Sequence, residues 1–597
     1  MTTPAAPATP CTNWNTDGAT CPDFGKFTCS NRYLVAYCGP ECQKCHWPIH
    51  KSKCKSALSK ASWTPDWFLQ GRQPAFVGAN DQEKFGGSNY LWGNVPALDI
   101  LRLEANEGKD YNKKLNLLFT ASGDFRNVIK TIAQLPEDYD KPVSITINDR
   151  DFDIVARNVI MLLIAPSVED QDEAIDCIIH IWYSAFIRKS DLDIIQQRVR
   201  RLIANICKEQ KEKPADHRIV TTWEFGRWSL KLDLQKSVWD NLLLFTEIPK
   251  GLTTEKANEI RTATALAESR KDYRDRYFLF LSPFRRVAAQ HFREDGILQP
   301  FGSQRAEFSE PNPTIFQEDT SVWPMRDNAD PLDGWSAKDV ESTPNGPAKA
   351  DIYGKLFHYL RSVLRAFLGR IASLRVSFRL LQVDARLLPG HLTNGTFDRI
   401  EARASNITDS YYLGIDNTII TLAPLLREIQ ANPHATLITL FMNAVHELMA
   451  RGIHLPNPAL DNGVTQRLHN FFLSGRPSGG RMILKSSSFH RLVIPCDTLM
   501  ITSTSFKFHQ VAKNVGAIIK EEYTIVEKWP FRLKLQPGQP GAQEEFDHLM
   551  SAGVSGTERY VEWTTGPVTL DAPDLSWQRS SLAKLAKFQQ TGQFQLF

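Results

Sequence analysis

Cys38, Cys42, Cys45 and Cys54 lie on one short stretch together with His46 and His50, and Cys11, Cys21 and Cys29 precede them. Seven of the 10 cysteines of this 597-residue chain therefore fall before Lys55, and only Cys177, Cys207 and Cys496 lie beyond it. Sulfur at this density either pairs as disulfides in an oxidising compartment or holds a soft cation as thiolate. The opening MTTPAAPATP has neither the basic start nor the apolar core of a secretory leader. With two histidines at metal-ligand spacing, zinc is the expected occupant. So short a segment buries little apolar surface, so the metal is expected to supply its folding free energy.

The order Tyr37, Cys38-x3-Cys42-Gln43-x2-His46-Trp47-x2-His50-x3-Cys54 resembles the second half of a MYND zinc finger. The resemblance implies two interleaved zinc ions, the first on Cys11, Cys21, Cys38 and Cys42 and the second on Cys29, His50 and Cys54. The family's remaining ligand of the second site is a cysteine placed after Cys29 as in C-x2-C, and here that position is Arg32, which cannot ligate a cation. Cys45, His46 or water is expected to complete the second site, or it holds metal weakly. The spacer Cys11-x9-Cys21 is also longer than the family's. MYND fingers take short proline-containing peptides of a protein partner, and their groove residues correspond to Gln43 and Trp47. Tryptophan offers a flat apolar platform and glutamine can bond a peptide backbone; the competing reading packs Trp47 inside the finger. Lys44, Lys51, Lys53 and Lys55 form a basic edge, but no long recognition helix accompanies them, so nucleic acid is not an expected partner.

What carries the finger is an ordinary globular chain. It is 42% hydrophobic and 23% charged, with 70 Lys plus Arg against 67 Asp plus Glu, so no global field points to a polyanion. No apolar run approaches the roughly 18 residues of a bilayer span. The expected setting is intracellular, cytoplasmic or nuclear, with no membrane partner.

The pattern divides the chain into a finger over 1–56, a connector over 57–93, a first α/β part with a helical insertion over 94–299, a Pro-rich loop over 300–350, a second α/β part over 351–490 and a β-rich extension over 491–597. Strands are expected at Leu115–Thr120 and Val143–Ile147, with helices over 125–135 and 152–164 after them. Further helices are read at 170–188, 192–208 and 417–430, with strands at 397–401, 523–526 and 560–563. Strand, loop, helix, strand, acidic loop, helix is the start of a parallel doubly wound sheet, whose ligands sit at the C-terminal strand ends. Gly123 and Asp124 in the first loop and Asp149 or Asp151 in the second are the candidate contacts for an adenosine cofactor such as S-adenosylmethionine. In the competing reading Gly123 relieves a tight turn, Asp124 caps the next helix and the acidic loop is solvated.

Asn94-Val95-Pro96-Ala97-Leu98-Asp99, Asn106-Glu107-Gly108, Ser122-Gly123-Asp124-Phe125-Arg126-Asn127-Val128, Asn148-Asp149-Arg150-Asp151 and Arg157-Asn158 resemble an uncharacterised domain. It accompanies MYND fingers in fungal proteins and occurs in divergent form at the start of axonemal dynein assembly factors. The resemblance implies a Rossmann-like, methyltransferase-like scaffold without assigned catalytic residues.

Catalytic signatures are missing from the sequence: there is no G-x-S-x-G, P-loop or asparagine-histidine-cysteine SET motif, and His446-Glu447 lacks the second histidine of H-E-x-x-H. Arg361, Arg365, Arg375 and Arg379 are expected on one face of a helix, either as a basic binding face or as an acid-paired edge. The fold class expected is α/β: a small zinc-stabilised finger, then a large Rossmann-like parallel-sheet domain with a long insertion and a β-rich C-terminal extension. The expected function is a non-catalytic adaptor whose finger docks a peptide, and the alternative is a methyltransferase dependent on S-adenosylmethionine.

Overall fold

The computed structural model describes residues 9–14, 20–29, 33–77, 85–317, 320–402, 414–441, 512–526, 535–536, 538–545 and 559–566. Arg32, His446, Cys496 and the expected loop through Asn406 and Asp409 lie outside the described residues.

Near the N-terminus a minimal hairpin, β1 (Phe27–Thr28) and β2 (Ala36–Tyr37), leads into the helix Pro40–Cys54. The body is built on strands β3 (Leu115–Thr120), β4 (Val143–Asp149), β6 (Arg218–Phe225), β7 (Trp228–Gln235), β9 (Val376–Gln382), β10 (Arg399–Ala402), β11 (Thr436–Phe441), β12 (Ala517–Ile519) and β13 (Arg559–Thr565). They form one sheet in the order β12-β13-β11-β10-β3-β4-β9-β7-β6. The six strands from β11 to β7 run parallel, while β13 is antiparallel to β11 and β12, and β6 to β7. A separate pair, β5 (Phe186–Ile187) and β8 (Glu310–Pro311), lies in the insertion between β4 and β9.

The central strands are largely buried because a parallel sheet is covered on both faces. All of β3 and all of β11 are buried. Alternation along each strand then feeds two cores: Leu117, Phe119, Leu380 and Ile438 enter one, and Leu118, Leu381, Leu437 and Ile400 the other. The first core takes the helices Arg126–Ala133, Phe152–Ser167, Gln171–Tyr183 and Ile352–Ser373. The second takes the helix Gly414–Leu422 through Ile415, Ile419 and Leu422. Among the described residues no helix is long and apolar enough to cross a membrane.

Several expectations need correction. Arg375 and Arg379 do not share a helical face with Arg361 and Arg365, because the helix ends at Ser373 and Val376–Gln382 is a strand. Arg361 and Arg365 meet Asp172, and Arg361 also Asp176, so the helix edge is acid-paired. The helix expected over 417–430 stops at Leu422, just before Pro424. Residues 523–526 form no strand, whereas 560–563 lie within β13. The Pro-rich stretch 300–350 has no long element, yet it packs inside: Asn312 donates to the carbonyls of Ile181 and Ser184 at 2.9 and 2.8 Å, and the buried Trp335 donates to the Tyr183 hydroxyl at 2.8 Å. Its order comes from single anchoring side chains, which leave no periodic trace.

Candidate metal centre

The loop that carries Cys11 and Cys21 is drawn against β2 by Thr12 N–H donating to the Ala36 carbonyl at 2.7 Å, and folded on itself by Cys21 N–H donating to the Asn13 carbonyl at 2.8 Å. The helix Pro40–Cys54 starts with proline in its first turn, where the missing N–H costs nothing. Its 3.6-residue period puts Cys42, His46 and His50 on neighbouring turns.

These elements bring two donor sets together. The ligand atoms of Cys11, Cys21, Cys38 and Cys42 all lie within 4.8 Å of one another, and so do those of Cys29, His50 and Cys54. Within the first set Cys21 and Cys38 sulfurs are 3.7 Å apart, Cys38 and Cys42 3.3 Å, and Cys21 and Cys42 3.8 Å. In the second, Cys29 and Cys54 are 3.9 Å apart. A disulfide would need about 2.05 Å, and a tetrahedral zinc with bonds of about 2.3 Å spaces its sulfurs at about 3.8 Å. The spacing therefore fits a shared cation, and none of these cysteines is joined in a disulfide.

The electrostatics agree. Burial opposes ionisation of Cys11, but hydrogen bonds from the Asn13 and Cys38 amides and from the Cys38 and Cys21 thiols together lower its pKa. The Cys38 thiol is pushed up by its hydrogen bond with Cys42, and Cys42 itself by burial. Sulfurs this close do not all ionise without a cation between them. The two Cys/His groups could each hold a zinc ion, and thiolate-rich sets of this kind suit zinc in closed structural sites.

Cys45 and His46, the expected substitutes in the second set, are not part of it. Cys45 is exposed. His46 is buried, with Nδ1 2.9 Å from the Tyr37 hydroxyl, and burial followed by the neighbouring His50 lowers its pKa to about 4. Gln43 and Trp47 are one helical turn apart on the same face and both half-buried. The Trp47 ring stands edge-on to His50, 6.1 Å between centroids, so it packs partly inside the finger while keeping an accessible portion.

The finger is fastened to the body. Trp14 Nε1 donates to the Gly302 carbonyl at 3.0 Å, Ala350 N–H to the Tyr33 carbonyl at 3.0 Å, and Lys53 pairs with Glu294. Cys29, Leu34, Val35, Tyr37 and Cys54 belong to the same continuous apolar core as β3. Sequence reasoning missed this docking; its one side-chain signal was Trp14, whereas the Tyr33 bond runs through a backbone carbonyl that any residue supplies.

The candidate cofactor residues meet at the C-terminal ends of β3 and β4. Gly123 has φ of 59°, a left-handed turn that favours glycine. Its N–H donates to Asp149 Oδ2 at 2.9 Å, and Asp149 Oδ1 accepts from Asp151 N–H at 2.9 Å. Asp151 caps the helix Phe152–Ser167 by accepting from Asp153 N–H at 3.0 Å. Asp124 does not cap a helix: it is buried, paired with Arg126, and accepts from Gly93 N–H at 2.9 Å and Trp182 Nε1 at 3.3 Å. Much of what the sequence offered as cofactor contacts thus ties the two loops to each other and to the core.

Residues 91–187, which contain these loops, match the family model of a domain of unknown function (DUF4470). No curated protein and no solved structure matches the chain.

Proposed function

We propose that the first 56 residues form a zinc-binding MYND-type finger that docks a proline-containing peptide on Gln43 and Trp47, carried by a non-catalytic, Rossmann-like scaffold. The observation that carries the reading is the gathering of Cys11, Cys21, Cys38 and Cys42 at zinc-sulfur spacing. It is supported by Gln43 and Trp47 sharing one helix face and by the internal bonds that Asp124 and Asp149 make within the protein. Metal analysis of the purified chain should give one or two zinc ions, and none would sink the assignment. Binding to an array of proline-containing peptides should be lost in Trp47→Ala with zinc content unchanged.

A second reading has its own support. Taken in chain order, β3, β4, β9, β10 and β11 stand in the spatial order 3-2-1-4-5, so the order reverses at β3 and β10, where doubly wound sheets bind ligands. At the neighbouring end of β4 the buried Asn148 accepts from Val383 N–H at 3.3 Å, yet its Nδ2 has no partner among the described residues. A buried orphan donor beside Gly123 is what a methyltransferase would use on S-adenosylmethionine. Calorimetric titration with that cofactor decides: micromolar binding that Asn148→Ala weakens would replace the adaptor by the enzyme.

A further inference from the structure

At one end of the nine-stranded sheet, β6 presents an edge with which no strand pairs among the described residues. In its ladder with β7, Ile219 stands opposite Leu234, Thr221 opposite Leu232 and Trp223 opposite Leu230, and Lys236 N–H donates to the His217 carbonyl at 2.8 Å. Antiparallel pairing alternates, so the odd-numbered residues turn their N–H and C=O toward β7. Arg218, Val220, Thr222 and Glu224 turn theirs to the open edge. All four are exposed, Val220 to 54%. Natural edges are blunted by proline, lysine or bulges. β6 carries neither of those residues and holds eight residues in unbroken register.

We propose that a second copy of this chain pairs edge to edge with β6, antiparallel, about a dyad passing through Thr221. Ladder bonds form only where an outward residue faces an outward residue, and a dyad at Thr221 satisfies this. It sets Val220 opposite Thr222 of the partner subunit and Arg218 opposite Glu224 of the partner subunit, and by symmetry the reverse. The charges select this register. A dyad at Val220 would put Arg218 against the partner subunit's Thr222, and one at Thr222 would put Glu224 against the partner subunit's Val220, so neither pairs the charges. Arg218 commits Nε and Nη2 to Asp233 Oδ1 at 3.0 and 2.7 Å, which fixes its position and leaves Nη1 uncommitted among the described residues. Ile219 is buried, and Trp223 packs against Trp239 with 5.7 Å between centroids, so the strand is held ready before pairing and little ordering entropy is lost.

Sedimentation of the full-length protein over a concentration series tests this. The expected result is a reversible monomer–dimer equilibrium, since a strand pair alone buries less than a permanent interface. Thr222→Pro should abolish the dimer while leaving zinc content and circular dichroism unchanged, because that N–H faces the open edge and makes no bond among the described residues. Glu224→Arg should weaken dimerisation about tenfold by placing like charges opposite one another twice. The register itself is read by cysteine scanning: Thr221→Cys, next to its own copy, should cross-link under mild oxidation well above the wild-type background, and Thr222→Cys should not. A protein that stays monomeric throughout, a dimer indifferent to Thr222→Pro, or equal cross-linking at both positions would each overturn the proposal, as would an edge that pairs only with a different protein.

Discussion

The finger and the sheet reach the folded state by different means. Between Thr9 and Cys54 the described hairpin has two-residue strands, and the buried set is mostly cysteine, histidine and the short run Leu34 to Tyr37. The sheet instead buries whole strands such as Leu115–Thr120 and Thr436–Phe441 and separates two large apolar cores. The contrast teaches what each region has to draw on: on one side a small apolar set and donor groups that could hold zinc, on the other a large apolar area removed from water.

Perturbations should therefore separate the two regions. The largest effect is expected from the metal, since structural zinc contributes about 10–16 kcal/mol to small fingers at neutral pH. Chelation should open the chain to protease before Ala57 and leave the region from β3 to β11 resistant; uniform digestion would show that the two regions share one source of stability. Next comes Leu117→Ala, which empties a fully buried position of the central strand. Denaturant unfolding of the body should show a loss of about 2–5 kcal/mol, with zinc content unchanged. Smallest is Arg365→Ala, because its pair with Asp172 is half-exposed on both sides. That loss should stay below about 1 kcal/mol, and a larger one would mean the basic helix edge does more than hold its acidic neighbours.

How far the sequence could be read follows the same division. The candidate metal donors were legible as a dense run of cysteine and histidine, and the resemblance to a MYND finger divided them into the two sets that do meet, Cys11, Cys21, Cys38 and Cys42 and Cys29, His50 and Cys54. The strand Leu115–Thr120 was legible as a short apolar run, and the strand expected at 143–147 was legible from its β-branched residues, though it continues to Asp149. The hairpin of β6 and β7 was not: its Trp223 to Trp239 stretch mixes aromatic and charged residues, since β6 is a half-exposed edge. Nor was β11, whose run Thr436–Phe441 follows a helix that ends earlier than its apolar pattern suggests. Asp124 misled for another reason. An aspartate before a helix reads as a cap, and only the fold reveals Arg126, Gly93 and Trp182 gathered around it.

The bonds from Trp14 to Gly302 and from Tyr33 to Ala350 also change what a bound peptide would experience. On a flexible tether, the residues flanking a docked motif would sample the body's surface at an effective concentration set by linker length. On a finger that shares its core with the sheet, those residues would meet one fixed stretch of the body at every encounter. The body could then select among partners carrying the same short motif, using contacts outside the finger altogether.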